Sequence, residues 1–252
     1  TADRYAFNRN GGGTLTVSQQ TFTAGTAPVS GYEGTYYLRA NQTVAGSGTA
    51  YHNFANPIED VRTFAGQTVT LSFWAKADSA RVITPQLIQS FGSGGSADVI
   101  NSFSPSTITL STSWTRYTIT LTLASIAGKT INAGNCLFVL FAFPYNTTFT
   151  IDFWGMQLEA GSVATPFTTA TGTVQGELAA CQRYYEKSYD QTTTPGTATE
   201  SNMSLSSQNI GATTTSYIGA WIPFKITKRG APTMTFYDTS SGASGKCNRF
   251  TL

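Results

Sequence analysis

Apolar and polar residues alternate with a period of two along most of this chain, which predicts strands rather than helices. In "TVTLSFWAKA", Val69, Leu71, Phe73 and Ala75 fall on one face and Thr70, Ser72, Trp74 and Lys76 on the other. "TRYTITLTL" sets Tyr117, Ile119, Leu121 and Leu123 against Thr118, Thr120 and Thr122. "FTIDFWGMQL" sets Phe149, Ile151 and Phe153 against Asp152, Trp154 and Met156. "CLFVLFAF", residues 136–143, is apolar on both faces, as expected of a strand covered on both sides. "GTLTVSQQTF", "TYYLRANQTV" and "RVITPQLIQSF" are further strand candidates. Glycine-rich turn signals separate the runs, among them "GSGGS" at 92–96 and "NAGN" at 132–135. Roughly eight or nine short strands spaced near ten residues predict an all-β sandwich. Helix is nearly absent; its best candidate is "QGELAACQRYYEK", whose good helix formers begin at Glu177.

"WGMQLEAGSVATPF", residues 154–167, marks the end of this pattern. Pro166 bars a further ladder bond, and Phe167 is expected to fold back onto the core. Residues 1–167 therefore read as one sandwich, 168–183 as a connector, and 184–252 as a second, small β-rich domain. Its strand candidates, "RYYEKSYD", "SLSSQNI", "SYIGAWIPF" and "PTMTFYD", are too few to close a sandwich alone. The expectation is a domain cut short, or one that borrows strands from neighbouring copies. The chain opens without an initiator methionine and stops in "GKCNRFTL", which reads as mid-strand, so an ordered piece of a longer protein is expected.

Composition narrows the function. Charged residues are 11% of the chain, about half the usual share, and Thr, Ser, Gly and Asn take their place. With a net charge of +2 and no Lys/Arg cluster beyond Lys228-Arg229, a phosphate-tracking groove and a nucleic-acid partner are not expected. No apolar run is long enough to insert into a membrane. Cys136, Cys181 and Cys247 are too few and too scattered for a disulfide framework, and read as thiols from a reducing compartment.

Catalytic constellations are poorly represented. The one histidine, His52, would have to serve any Ser-His-Asp device, and it reads as a surface or edge-strand residue. One His and three dispersed Cys give no metal-ligand spacing. Asp152 and Glu159 could form a hydrolytic carboxylate pair, but Glu159 lies in the turn motif, where a carboxylate most simply accepts backbone N–H bonds. No enzymatic activity and no required cofactor are expected. Sugar recognition needs aromatic faces with amides and hydroxyls, and the sequence is rich in both. The sheet-face candidates are Trp74, Gln86, Gln89, Tyr36 and His52, with Tyr37, Ser72 and Lys76 nearby. The "GSGGSAD" and "TTTPGTATESN" loops are equal candidates. Packing in a core or a subunit interface is the competing reading for each aromatic. In "CQRYYEKSY", Arg183, Tyr184 and Tyr185 could make a trimer contact or dock on their own domain.

Five spaced stretches, "IEDVRTFAGQTVTLSFWAKA", "LIQSFGSGGSADV", "SWTRYTITLTLASIAGKT", "WGMQLEAGSVATPF" and "ELAACQRYYEKSY", together resemble a module of tail fibre and other receptor-binding proteins of tailed bacteriophages. The resemblance covers residues 1 to about 190, and "KRGAPTMTFYD" resembles the β-rich domain that often follows. The first part is also similar to the jelly-roll carbohydrate-binding modules attached to polysaccharide-degrading enzymes. The resemblance implies a jelly-roll sandwich in a non-catalytic adhesin, homotrimeric, on the virion surface, assembled in the host cytoplasm, touching other virion proteins and host cell-surface polysaccharide. It also implies a possible structural Ca²⁺, for which Asp152 and Asp3 are the candidate ligands. Two alternatives stay open: a structural fibre, spacer or capsid decoration without a ligand, and an accessory module of a polysaccharide-degrading enzyme.

Overall fold

The computed structural model describes residues 6–29, 34–47, 51–169, 171–190, 192–199 and 223–246. The chain divides into two compact units, Thr1–Thr168 and Thr169–Leu252.

The first unit is a jelly-roll β-sandwich. One sheet has the order β1(Ala6–Asn10), β4(Tyr51–Glu59), β10(Cys136–Phe143), β6(Arg81–Ser90), β7(Val99–Ser102), with β8(Ile108–Leu110) beside β6. The other has the order β2(Thr14–Thr21), β3(Tyr36–Val44), β11(Phe149–Ala160), β5(Thr68–Ala77), β9(Thr115–Thr122). All ladders between these strands are antiparallel. The inward sets of β5, β9 and β11 are those the alternation picks out, and in β10 the odd positions turn inward. Val69, Leu71, Phe73 and Ala75 meet Phe149, Ile151, Phe153 and the odd positions 137–143 in one buried cluster. At its centre Phe141 stands edge-to-face on Phe73 at 5.0 Å, with Phe54 at 5.8 Å and Phe153 at 5.3 Å.

Two strands that carry proline are explained by gaps in their ladders. Pro85 in β6 falls between the β8 pairing, which covers 81–83, and the β7 pairing, which covers 86–89. Pro57 in β4 lies beyond Ala55, the last β4 residue paired with β1 among the described residues. Pro85 removes no bond on that side of β6, so the strand keeps its place in the sheet.

The covering of the sheets differs from the expectation. β5 looks half polar, yet its outer residues Thr70 and Ser72 are fully buried and Trp74 is 8% exposed. The cause is residues 161–168, which leave β11 and turn back as a strap over this face. A β-bulge admits one extra residue between Trp154 and Gln157, opposite Phe73. It needs Gly155, whose φ is +62° and where a Cβ would lie 2.9 Å from the Trp74 ring. Farther on, Gly161 N–H donates to Thr68 O at 2.8 Å, and Thr70 Oγ1 donates to Gly161 O at 2.8 Å. Glu159 accepts from Thr165 N–H at 3.2 Å and from Thr165 Oγ1 at 2.5 Å. Arg116 Nη2 donates to Thr165 O at 2.5 Å. Phe167 folds back, but onto Trp154 (4.7 Å) and Trp74 (5.9 Å) on the outer face rather than into the inter-sheet core. β10, expected to be covered on both sides, leaves Phe138, Leu140 and Ala142 only half-buried on its outer side.

In the second unit α1(Val174–Gln182) is capped by Thr173, whose Oγ1 accepts from Gly176 N–H at 3.1 Å. The helix begins three residues before Glu177, because the cap compensates for the poor helix former Gly176. "RYYEKSYD" and "PTMTFYD", expected as strands, form no ladder; among the described residues this unit holds one isolated bridge, Tyr237–Ser244. "SLSSQNI" lies outside the described residues, as does nearly all of "SYIGAWIPF". Glu186 and Lys228, both largely buried, pair at 2.6 Å, and Lys228 also donates to Gln182 O at the end of α1. This ion pair turns 185–190 toward 223–229 instead of into a sheet. Cys181 is exposed and Cys136 half-buried; Cys247 lies outside the described residues. Burial, and secondarily the charge of Asp98, push the Cys136 thiol above its ordinary range.

Two predictions follow from the packing. Phe141→Ala removes the ring that joins both sheets and should cost about 3–5 kcal/mol in urea unfolding, with the all-β circular dichroism spectrum retained below the transition. Burial disfavours the Glu159 carboxylate, but bonds from Thr165 and Gln157 outweigh it and hold the carboxyl below its ordinary range. A lowered carboxyl contributes stability above its unfolded value and loses it as pH falls through the folded one. Acid should therefore loosen the strap, seen as a change in tryptophan emission as Phe167 leaves Trp154 and Trp74. Glu159→Gln should remove that acid step; an unchanged step would place its origin elsewhere.

Candidate functional site

The five sheet-face candidates do not converge. Trp74 and Tyr36 belong to the five-stranded sheet, whereas Gln86, Gln89 and His52 belong to the six-stranded one. Tyr36, at the start of β3, is 54% exposed. Trp74 is corrected from an open aromatic face to a covered one: the Arg116 guanidinium sits 4.8 Å above its ring and Phe167 closes its side. His52 is corrected from surface to interior, with no exposure at all. Its Nδ1 meets Gln42 Oε1, and its Nε2 lies 3.2 Å from Gly12 O. The Gln42 amide in turn donates to Tyr145 O at 2.8 Å and Thr147 O at 2.7 Å. Gln89 is likewise interior: its Nε2 donates to Ala124 O and its Oε1 accepts from Asn101. These amides and the imidazole lie on the core side of their strands because neighbouring carbonyls satisfy them there. Period-two reading assigns a residue to a face but not its partner.

Asp152 is corrected from a metal ligand to an ion-pair acceptor. It is 2% exposed, and Arg39 grips both its oxygens through Nε at 2.7 Å and Nη2 at 2.8 Å. Lys76 stands 3.7 Å away. A carboxylate so held, beside two cations, does not fit a hard divalent ion. Asp3 lies outside the described residues, and among those described no group of three or more His, Cys, Asp or Glu is placed to hold a metal. The hydrolytic pairing of Asp152 with Glu159 is also disfavoured, since each is already engaged, one by Arg39 and the other by Thr165.

The "GSGGS" loop is fixed against 130–135 by Asn132 N–H to Phe91 O at 2.8 Å and Ser96 N–H to Thr130 O at 2.9 Å. Of "TTTPGTATESN", residues 192–199 are described and turn at 194–197 through Thr197 N–H to Thr194 O. Arg183, Tyr184 and Tyr185 follow α1 in a turn rather than an extended strand, and Arg183 N–H caps the helix through Ala179 O. The alternation that would have aligned Tyr185 with Lys187 is absent, although Tyr185 remains 61% exposed.

An open groove lies at the β10–β11 end of the six-stranded sheet. It measures about 410 Å³ and is lined by Val82, Thr84, Ala142, Tyr145 and Asn146, with the edge of His52 at its floor. Gln42 and His52 set its far wall, because Gln42 holds the carbonyls on either side of Asn146. Gln86 is next to Thr84 on the outer side of β6, half-buried and level with Leu140 and Ser102. Level with Ala142 is Asn53, whose buried Oδ1 has no hydrogen-bond partner. Beyond Gln86 the face becomes apolar: Pro57, Phe138, Ile88 and Ile100 stand level across four strands. Glu59, at the far corner, is the charged residue on these outward positions of β4, β6, β7 and β10. An uncharged face with apolar patches, amides and hydroxyls can take a neutral sugar by C–H packing and hydrogen bonds. Tyr145 and Asn146 were not among the expected residues. Their one sequence signal is a short "PYNTT" turn after an apolar strand.

The search of curated proteins finds no match. Among solved structures, the enzymatically active domain of tailspike protein 4 of bacteriophage CBA120 is 13% identical over 63% of this chain, with a TM-score of 0.42, and the match spans 19% of that protein's length. A family 11 carbohydrate-binding module from Clostridium thermocellum, in complex with a β-1,3-1,4-mixed-linked tetrasaccharide, is 13% identical over 64% of this chain and 91% of its own, with a TM-score of 0.40. A CBM4 structure is 24% identical over 50% of this chain and 75% of its own, with a TM-score of 0.35. Residues 5–135, just over half of the chain, match the carbohydrate binding domain family CBM_4_9. The chain is a member of that carbohydrate binding domain family.

Proposed function

We propose that the first unit binds a neutral polysaccharide in the groove lined by Thr84, Tyr145 and Asn146 and continued along β6 to Gln86. The observation that carries this reading is an open groove lined by Thr84, Tyr145 and Asn146 with no carboxylate, lysine or arginine in its lining. Tyr145 supplies an aromatic flank, and Thr84, Gln86 and Asn146 supply donors and acceptors for sugar hydroxyls. The domain contributes binding and no chemistry of its own.

The resemblance of five spaced motifs to bacteriophage receptor-binding modules supports a role on a virion surface, holding host cell-surface polysaccharide. An accessory module of a polysaccharide-degrading enzyme is served equally well by the family and the groove. A homotrimer is the assembly we propose for the virion reading, through the apolar row Pro57, Phe138, Ile88 and Ile100, in which Ile100 is 61% exposed. Three weak sites on one spike would then act together by avidity.

A glycan array followed by calorimetry tests the groove. At least one neutral polysaccharide should bind, and Gln86→Ala and Tyr145→Ala should each weaken binding by about tenfold, or about 1.4 kcal/mol, with unchanged melting temperatures. Unchanged affinity in both variants would remove the groove from the reading. Light scattering tests the assembly: the wild-type chain should run as a trimer and Ile100→Lys as a monomer. A monomeric wild-type chain would favour the accessory-module alternative.

A further inference from the structure

On the opposite, five-stranded sheet, the side chains of Arg39, Asp152 and Lys76 stand level on the outer face of β3, β11 and β5. One carboxylate thus faces two cations. Arg39 already occupies both Asp152 oxygens. Lys76 is left 3.7 Å from the nearer of them, beyond hydrogen-bond distance, with its side chain 32% exposed. Its ammonium lies 5.3 Å from the centroid of Trp114. Trp114 is half-buried and meets half-buried Tyr37 edge-to-face at 5.4 Å, and both rings rest on Phe22. The third cation of this face, Arg116, is different: Thr165 O, Ser72 and Trp74 engage it. Among the described residues the row therefore carries one surplus positive charge, with no hydrogen bond from the Lys76 ammonium, beside two aromatic rings.

We propose that Lys76, Trp114 and Tyr37 form a second binding site, for a sugar that bears a carboxylate, such as a uronic acid residue. The carboxylate would take the Lys76 ammonium, and the C–H face of the ring would lie on Trp114 and Tyr37. The Arg39–Asp152 pair holds the charge balance beneath it. The groove on the other sheet has no cation among its lining residues, so the two sites select different sugars. This site does not depend on the groove being occupied.

The test uses the full 252-residue chain and two probes, a galacturonic acid trisaccharide and its methyl ester, followed by tryptophan fluorescence and calorimetry. The acid should bind and perturb tryptophan emission, with an affinity that falls as salt rises from about 20 mM to about 500 mM. The ester and the Lys76→Gln variant should each bind about tenfold more weakly or worse, whereas Lys76→Arg should keep binding. Gln86→Ala should leave acid binding unchanged, and Lys76→Gln should leave neutral-polysaccharide binding unchanged, which separates failure of this site from failure of the groove. Equal binding of acid and ester, indifference to Lys76→Gln, or no response to the acid at millimolar concentration would each overturn the proposal.

Discussion

The contact on which the first unit depends is the aromatic packing between the two sheets, where Phe141 of β10 meets Phe73 of β5, Phe153 of β11 and Phe54 of β4. Interiors are packed as densely as organic crystals, so such a cluster fixes how two sheets lie on each other to within a side chain. Once that is set, each odd-numbered residue of β10 is inside and each even-numbered one outside. The identity of both outer faces follows from it: one neutral and grooved, the other aromatic and cationic.

The two faces are finished in opposite ways. The five-stranded sheet is closed by the chain's own strap, which follows the Gly155 bulge and is tied by Glu159, Arg116 and Thr165. Its outer threonines and serine are buried because their hydroxyls find partners, not because they are apolar. Among the described residues the six-stranded sheet has no such cover, and its apolar row stays half-open. Ligand binding needs a rigid face that remains accessible, and the strap withdraws Trp74 from such a face.

Burial also changes what the polar residues do. His52 and Gln42 never reach solvent; they position the turn that carries Tyr145 and Asn146. Asp152 balances two cations instead of binding a metal. In each case the side chain's chemistry is the one expected from its type, but its partner sits more than ten residues away or on another strand.

The period-two pattern alone determined the class of fold and the inward sets of β5, β9 and β11, because side-chain direction in a strand follows from local geometry. The turn motif, separately, marked Glu159 as an acceptor of backbone N–H. The prolines of β4 and β6, the short strands β1, β7 and β8, and the start of α1 were harder to read, since each depends on a neighbour's ladder or on a cap. Only the tertiary structure decided that Trp74 is covered, that His52 and Gln89 are interior, and that the groove lies beside Tyr145. Those outcomes turn on which strands become neighbours and where residues 161–168 come to rest, and both are set by contacts between segments far apart in the chain.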